Sequence, residues 1–233
     1  MNAVRHIATD LYQLLFPDLC NGCGSNLVQS TQFLCLRCEQ KLAEYQFHGS
    51  PGNRVEKIFY GRLNIEAASS AYYFSKESLV QQLIHQLKYE SHISLGHWLG
   101  KQLGMHLRNT GRFDAITAIV PLPLFKRKEK KRGYNQATIL CEGVRSVMPV
   151  TLCATSVIRN RISATQTRKS RWERWQNVAD IFSIRDASAL QHQHVLLIDD
   201  VITTGATLEA CSSVLQQIPG LKLYIATLAF ADL

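Results

Sequence analysis

Thirteen consecutive residues, Val195 to Thr207 (VLLIDDVITTGAT), hold the densest chemistry in the chain. An apolar run that reads as a buried strand ends in two carboxylates, Asp199 and Asp200. A small, hydroxyl-rich loop follows, Thr203, Thr204, Gly205, Ala206 and Thr207, and runs straight into a helical pattern. Acids delivered to the C-terminal end of a strand lie where open α/β sheets bind ligands. Gly205 lets the backbone approach closely, and several N–H groups backed by a helix dipole make a cradle for phosphate. Adjacent carboxylates suit the vicinal hydroxyls of a ribose or, often through water, Mg²⁺. The plainer alternative is an ordinary strand–turn–helix with two solvated acids. A Walker loop is excluded, because no G-x-x-x-x-G-K-[ST] occurs.

A second constellation is Cys20-Asn-Gly-Cys23-Gly24 and Cys35-Leu-Arg-Cys38, two C-x-x-C knuckles separated by eleven residues. Each pair spans one tight turn, so four thiolates, Cys20, Cys23, Cys35 and Cys38, can converge on a tetrahedral ion. Four thiolates close the coordination sphere of Zn²⁺, so the metal would be structural and would supply most of the folding free energy of so small a module. A redox C-x-x-C and iron–sulfur ligation are the alternatives. Cys141, Cys153 and Cys211 sit among apolar neighbours and read as core thiols. His192 and His194 read as exposed loop residues.

The formal charge of +8 is local. Lys126 to Arg132 and Arg159 to Trp175 each hold six basic residues and one acidic, a net +5 apiece, which leaves the rest of the chain at −2. Such clusters suit phosphates, on a ligand or along a nucleic acid, or form a solvated basic face. The first cluster (Lys126, Arg127, Lys131 and Arg132 among it) follows a predicted strand end, so its cations belong at the same sheet edge as the acid pair. In the second, Trp172 and Trp175 alternate with Arg168, Arg171 and Arg174. That pattern suits base stacking with backbone neutralisation on a single strand; packing of a helical turn is the other use of the tryptophans.

The elements that must position these groups are legible as alternating strands and helices. Residues 5–16 read as an amphipathic helix, His48 to Arg54 as a linker, and residues 56–74 as a strand pair. Ser78 would cap a helix, and a second helix spans 93–108 with Gly96, Gly100 and Gly104 at every fourth position for close packing. Strands follow at 115–120, 150–154, 195–198 and 222–229, with helices at 134–147 and 207–217 and a loop or helical turn at 171–178. Such alternation implies a largely parallel sheet. With 233 residues, 46% of them hydrophobic, the chain suffices for one α/β domain (51–233) behind a small N-terminal module (1–50). No run approaches the roughly 18 apolar residues of a membrane span. The apolar stretch Ile7 to Phe16 is broken by Asp10 and Gln13, so no secretory signal is expected, and a cytoplasmic protein is.

The Val195–Thr207 string resembles the phosphoribosyl pyrophosphate signature of type I phosphoribosyltransferases. That resemblance implies that Asp199 and Asp200 contact ribose hydroxyls, that Thr203 to Thr207 bind a 5′-phosphate, and that Mg²⁺ accompanies phosphoribosyl pyrophosphate. The fold it implies is a parallel sheet flanked by helices. Lys126 to Arg132 takes the place of a pyrophosphate loop, and residues 164–177 that of a closing lid. KKRGYNQA at 130–137, TQTRKSRWERWQN at 165–177, Leu-Lys-Tyr at 87–89 and the four cysteines together resemble the ComF-like competence proteins across almost the whole chain. The departure is Ser163-Ala164-Thr165, where relatives often have prolines; Gln166, Arg174 and Asn177 are kept. This second resemblance implies a role in natural transformation, with single-stranded DNA and DNA-uptake proteins as partners. Catalysis stays open: Asp199, Asp200, Arg171 and Arg174 are the candidates at a reacting centre, and an acceptor site is not evident.

Overall fold

In a computed structural model of the chain, residues 17–26, 33–160 and 181–232 are described. The predicted helix over 5–16 lies outside them, as do Arg168, Arg171, Trp172, Arg174 and Trp175. The described elements begin with α1 (Leu36–Ala43), α2 (Arg54–Phe59), β1 (Ala67–Phe74), α3 (Leu79–Tyr89), α4 (Ile93–Asn109) and β2 (Ala118–Pro121). They continue with α5 (Lys126–Arg132), α6 (Gln136–Arg145), β3 (Thr151–Leu152), β4 (Val157–Arg159), β5 (Phe182–Ile184), β6 (His194–Ile202), α7 (Ala206–Leu215) and β7 (Lys222–Ala231). Five strands form one sheet in the order β1-β7-β6-β2-β3, with every neighbouring pair parallel. β4 and β5 pair antiparallel in a separate ribbon.

Strand alternation divides the core into two layers. Leu196 and Ile198 of β6 pack with α3, α4 and α6, whereas Val195 and Leu197 pack with α2, α7 and the ribbon. The central strands are buried on both faces, as parallel strands covered by helices must be. On the first face α4 and α6 meet almost backbone to backbone. A Cβ on Gly100 would stand 2.2 Å from the Leu140 carbonyl oxygen, and one on Gly143 2.2 Å from that of His97. The four-residue glycine spacing of α4 is therefore a packing seam.

Ser78 caps α3 as predicted, accepting a hydrogen bond from the Gln81 N–H at 3.2 Å. The predicted strand pair over 56–74 is corrected to a helix, α2, followed by one strand. Asn53, within the stretch read as a linker, accepts from the N–H groups of Val55 and Glu56 and so nucleates α2. Its amide also donates to the carbonyls of Ser50 and Ala68. Glu56 is buried beside Arg112 at 2.5 Å, and β1 finds its partner in β7, not in a hairpin. Lys126 to Arg132, expected as a loop, forms the seven-residue helix α5, ended by left-handed Gly133. His194 is likewise no loop residue: it opens β6 half-buried, 3.2 Å from the Tyr224 hydroxyl. Cys141, Cys153 and Cys211 are buried in the core as expected.

Candidate functional site

At the C-terminal edge of the sheet β6 runs out into Thr203 and Thr204, both exposed, and then into α7. The N-cap of α7 is Gly205, in the left-handed region at φ 74°, and no side chain caps the helix. The position demands glycine twice over. A left-handed φ strains any Cβ, and a Cβ here would also stand 2.6 Å from Ile58 Cγ2 of α2. An uncapped first turn behind a small loop offers its N–H groups to an anion. The predicted cradle residues Thr203, Thr204, Gly205, Ala206 and Thr207 thus lie on one strand–loop–helix passage.

Consecutive residues of a strand face opposite ways, and the acid pair obeys that rule. Asp199 lies on the face of Arg159 and Cys211, and its carboxylate accepts the Asp200 backbone N–H at 2.8 Å. Burial, and then the neighbouring Asp200 charge, push the Asp199 carboxyl up to about 8. Asp200 lies on the face of α3, with its Oδ1 2.9 Å from the Lys88 Nζ. Both partners are mostly buried, the side chains 12% and 23% exposed. A cavity of about 360 Å³ opens beside this ion pair, lined by Phe74, Ile84, His85, Tyr89 and Thr203 among others.

Lys88 and Arg159 are the site residues that reading the sequence did not single out as such. Lys88 stands 112 positions before Asp200, and only the helical register of α3, with Leu83, Ile84 and Leu87 inward, brings it to the sheet edge. Arg159 ends β4, and its guanidinium lies 5.3 Å from the Phe182 ring centre across the ribbon. At the ribbon's end the Asn160 N–H donates to the Ile181 carbonyl at 2.8 Å. Arg159 stands near enough to Asp199 for its charge to act on that acid.

Of the first basic cluster, Lys126, Arg127 and Lys131 are exposed on α5, which starts a few residues beyond the C-terminal end of β2, the neighbour of β6. Arg132 is held more tightly. It donates to Gln136 Oε1 at 2.7 Å and lies 5.2 Å over the ring of Tyr89, a wall of the cavity. The structure thus sets Arg132 against a wall of the cavity and leaves Lys126, Arg127 and Lys131 exposed on α5.

Among the described residues Cys20, Cys23, Cys35 and Cys38 form a group that could hold a metal ion, their sulfurs within 4.8 Å of one another. Cys23 Sγ and Cys35 Sγ are 3.7 Å apart. Four thiolates about 2.3 Å from a tetrahedral Zn²⁺ stand about 3.8 Å from each other, so donor set and spacing fit that ion. Gly24 makes the left-handed turn at φ 71°. The N–H groups aimed at sulfur come from Gly22 and Cys35, both donating to Cys20 Sγ, at 3.4 and 3.3 Å. Burial raises the Cys38 thiol, whereas the hydroxyl of Ser25, 3.1 Å from Cys23 Sγ, helps draw that thiol down to about 6. The module docks on α3: the Asn21 carbonyl accepts from the amides of Gln82 and Gln86 at 3.0 and 2.8 Å.

An all-parallel five-stranded sheet, acids and a glycine-capped loop at its carboxyl edge, and a four-cysteine module on one flank define an α/β protein with a parallel sheet flanked by helices and a small cysteine module. No family model matches the chain. It is 25% identical over 214 residues to competence protein F of Haemophilus influenzae, 87% of this chain and 93% of that protein. It is 31% identical over 136 residues to the DNA utilization protein YhgH of Escherichia coli K12, 57% of this chain and 59% of that one. Over 95 residues it is 35% identical to competence protein ComFC of Bacillus subtilis, 41% of this chain and 36% of that one. This chain is thus similar in sequence to proteins named for competence and for DNA utilization. Among solved structures, the glutamine phosphoribosylpyrophosphate amidotransferase of B. subtilis superposes with a TM-score of 0.42 at 17% identity, over 61% of this chain and 30% of that one. An allosteric regulatory enzyme of purine biosynthesis gives 0.40 at 18%, over 61% and 29%. Among the described residues no helix is long and apolar enough to cross a membrane.

Proposed function

We propose that this chain is a competence-linked, DNA-handling protein. In this reading it holds phosphoribosyl pyrophosphate or a nucleic-acid 5′-phosphate at the carboxyl edge of its sheet and grips single-stranded DNA through its basic segments. One observation supports it above the others: the uncapped α7 start, Asp200 and the basic helix α5 share one sheet edge. Thr203 to Thr207 bind the phosphate, and Asp199 and Asp200 receive the sugar hydroxyls. Lys126, Arg127, Lys131 and Arg132, with Arg168, Arg171 and Arg174, meet the pyrophosphate or the DNA backbone. Mg²⁺ accompanies the pyrophosphate, and Zn²⁺ holds the cysteine module. The names of the relatives support the DNA role. A labelled single strand titrated in rising salt tests it. Neutralising four or more phosphates gives a slope of log affinity on log salt of about −3, close to a fifty-fold loss between 50 and 200 mM. Charge reversal at Lys126 and Arg127 should flatten that slope. Negligible binding at low salt, or affinity indifferent to salt, would defeat the DNA reading.

A second reading, an active phosphoribosyltransferase, is favoured by the cavity beside Asp200. Its volume of about 360 Å³ and its Phe74, Ile84 and Tyr89 walls accommodate a flat heterocycle next to the sugar position. Pyrophosphate release with a panel of nucleobases distinguishes the two. Turnover with any base establishes transfer, and donor binding without consumption in every case removes it.

A further inference from the structure

The acid pair does not fit a divalent-cation site in the unliganded chain. Hard cations such as Mg²⁺ bind by gathering several oxygens around one point, and here both acids already have partners. Asp199 accepts the Asp200 N–H, and the charges of Lys88 and then of Arg159 act on it. Asp200, the acid on the cavity side, already has a cation: Lys88 Nζ at 2.9 Å, largely shielded from water. A divalent ion approaching Asp200 would meet an ammonium at the same oxygen, in a setting where water screens the repulsion poorly.

Lys88 is also held in place. Its helix is capped by Ser78 and pinned on the flank by the cysteine module, through Gln82 and Gln86. At its end the Tyr134 hydroxyl donates to the Leu87 carbonyl. The ammonium is therefore presented to Asp200 by a braced helix and does not arrive there as a freely swinging surface lysine.

We propose that Lys88 is a positioning residue that serves Asp200 as a built-in counter-ion and keeps divalent cations off the acid pair until a phosphorylated ligand carries one in. Only the last clause rests on the ribose-phosphate reading above. When sugar hydroxyls engage Asp200, the ammonium is released toward the cavity, where an anionic ligand supplies its new partner. Metal then enters chelated to the ligand, not ahead of it.

Mn²⁺, followed by water-proton relaxation and by calorimetry on the zinc-loaded full chain, is the probe. Wild type should show no saturable uptake below about 1 mM, the range of weak oxygen-ligand sites. K88M, close in shape but uncharged, should gain one site at least about tenfold tighter, and K88R should behave like wild type. K88M/D200N should lose the gained site, which locates it at Asp200. Thermal melting checks that each variant folds, and K88Q replaces K88M where it does not. Saturable Mn²⁺ binding to wild type in that range overturns the proposal without any variant, and so does a folded K88M or K88Q that gains nothing. No phosphorylated compound is present in these titrations. A chain that never binds phosphoribosyl pyrophosphate would therefore remove the ribose-phosphate reading and leave the Lys88 result standing. In the final arm, added phosphoribosyl pyrophosphate should let wild type take up Mn²⁺, and binary uptake equal to ternary uptake would overturn the ordered entry.

Discussion

Removing the metal from Cys20, Cys23, Cys35 and Cys38 should unfold the segment from residue 17 to 45 before the sheet is disturbed. The physical reason is the size of the module. Among its described residues the buried apolar side chains are few, Leu34 and Leu42 among them, and a patch of that size does not offset the entropy of ordering about thirty residues. Zinc bound by such thiolate sets contributes on the order of 10 kcal/mol or more to folding. A chelator strong enough to take the ion, or the single substitution Cys35→Ser, should expose the segment to protease and leave a resistant core. Mass spectrometry of the fragments, with metal content measured in parallel, provides the check. The consequence should travel further, because Asn21 holds Gln82 and Gln86 of α3. Loosening that helix loosens the lysine that meets Asp200, so the metal-free chain should also lose affinity for sugar phosphates. A metal-free preparation with native circular dichroism and undiminished thermal stability would contradict the zinc assignment.

Asp200→Ala should weaken binding of Mg·phosphoribosyl pyrophosphate by about a hundredfold or more, with the fold intact. Hydrogen bonds to a charged acceptor contribute about 1.5–3 kcal/mol each, and two ribose hydroxyls sharing this carboxylate would forfeit most of that. One opposing effect has to be weighed. The substitution frees the Lys88 ammonium, which attracts an anionic ligand and returns part of the loss. Asp200→Ala combined with Lys88→Met should therefore bind more weakly still than Asp200→Ala alone. The fold should survive because Lys88 is 23% exposed and can turn its ammonium to water when its partner is gone. Calorimetry on both variants, with circular dichroism as control, is the measurement. Unchanged affinity in Asp200→Ala would remove Asp200 from the site.

Short-range signals explain why so much of the site is legible in the amino-acid sequence. The β6–loop–α7 passage is written in one continuous string, because a buried strand, a glycine at a left-handed turn and an uncapped helix start are each local properties. The same holds for the knuckles, where two residues between cysteines suffice to turn sulfur toward sulfur, and for α3, whose start is capped by Ser78. Where local signals compete, the sequence misleads. The stretch over 56–74 is aromatic enough to suggest two strands, yet Asn53 supplies a cap, and Val55 and Phe59 gain more by packing as a helix against β1 than as a second strand. Lys126 to Arg132 likewise carries good helix formers at a place where the transferase resemblance puts a loop.

The sequence alone therefore determined the chemistry available: a small hydroxyl-rich turn ahead of a helix, a pair of acids, four closely spaced cysteines and two cationic clusters, each confined to a few neighbouring residues. Only the tertiary structure decided how these meet. It set the strand order β1-β7-β6-β2-β3, the backbone contact of Gly100 with α6 and the assignment of Asp199 and Asp200 to different layers. It also placed Lys88 against an acid far along the chain. Such pairings depend on which helix face covers which strand, and that choice is made by burying complementary surfaces distant in sequence, for which no local pattern carries the information.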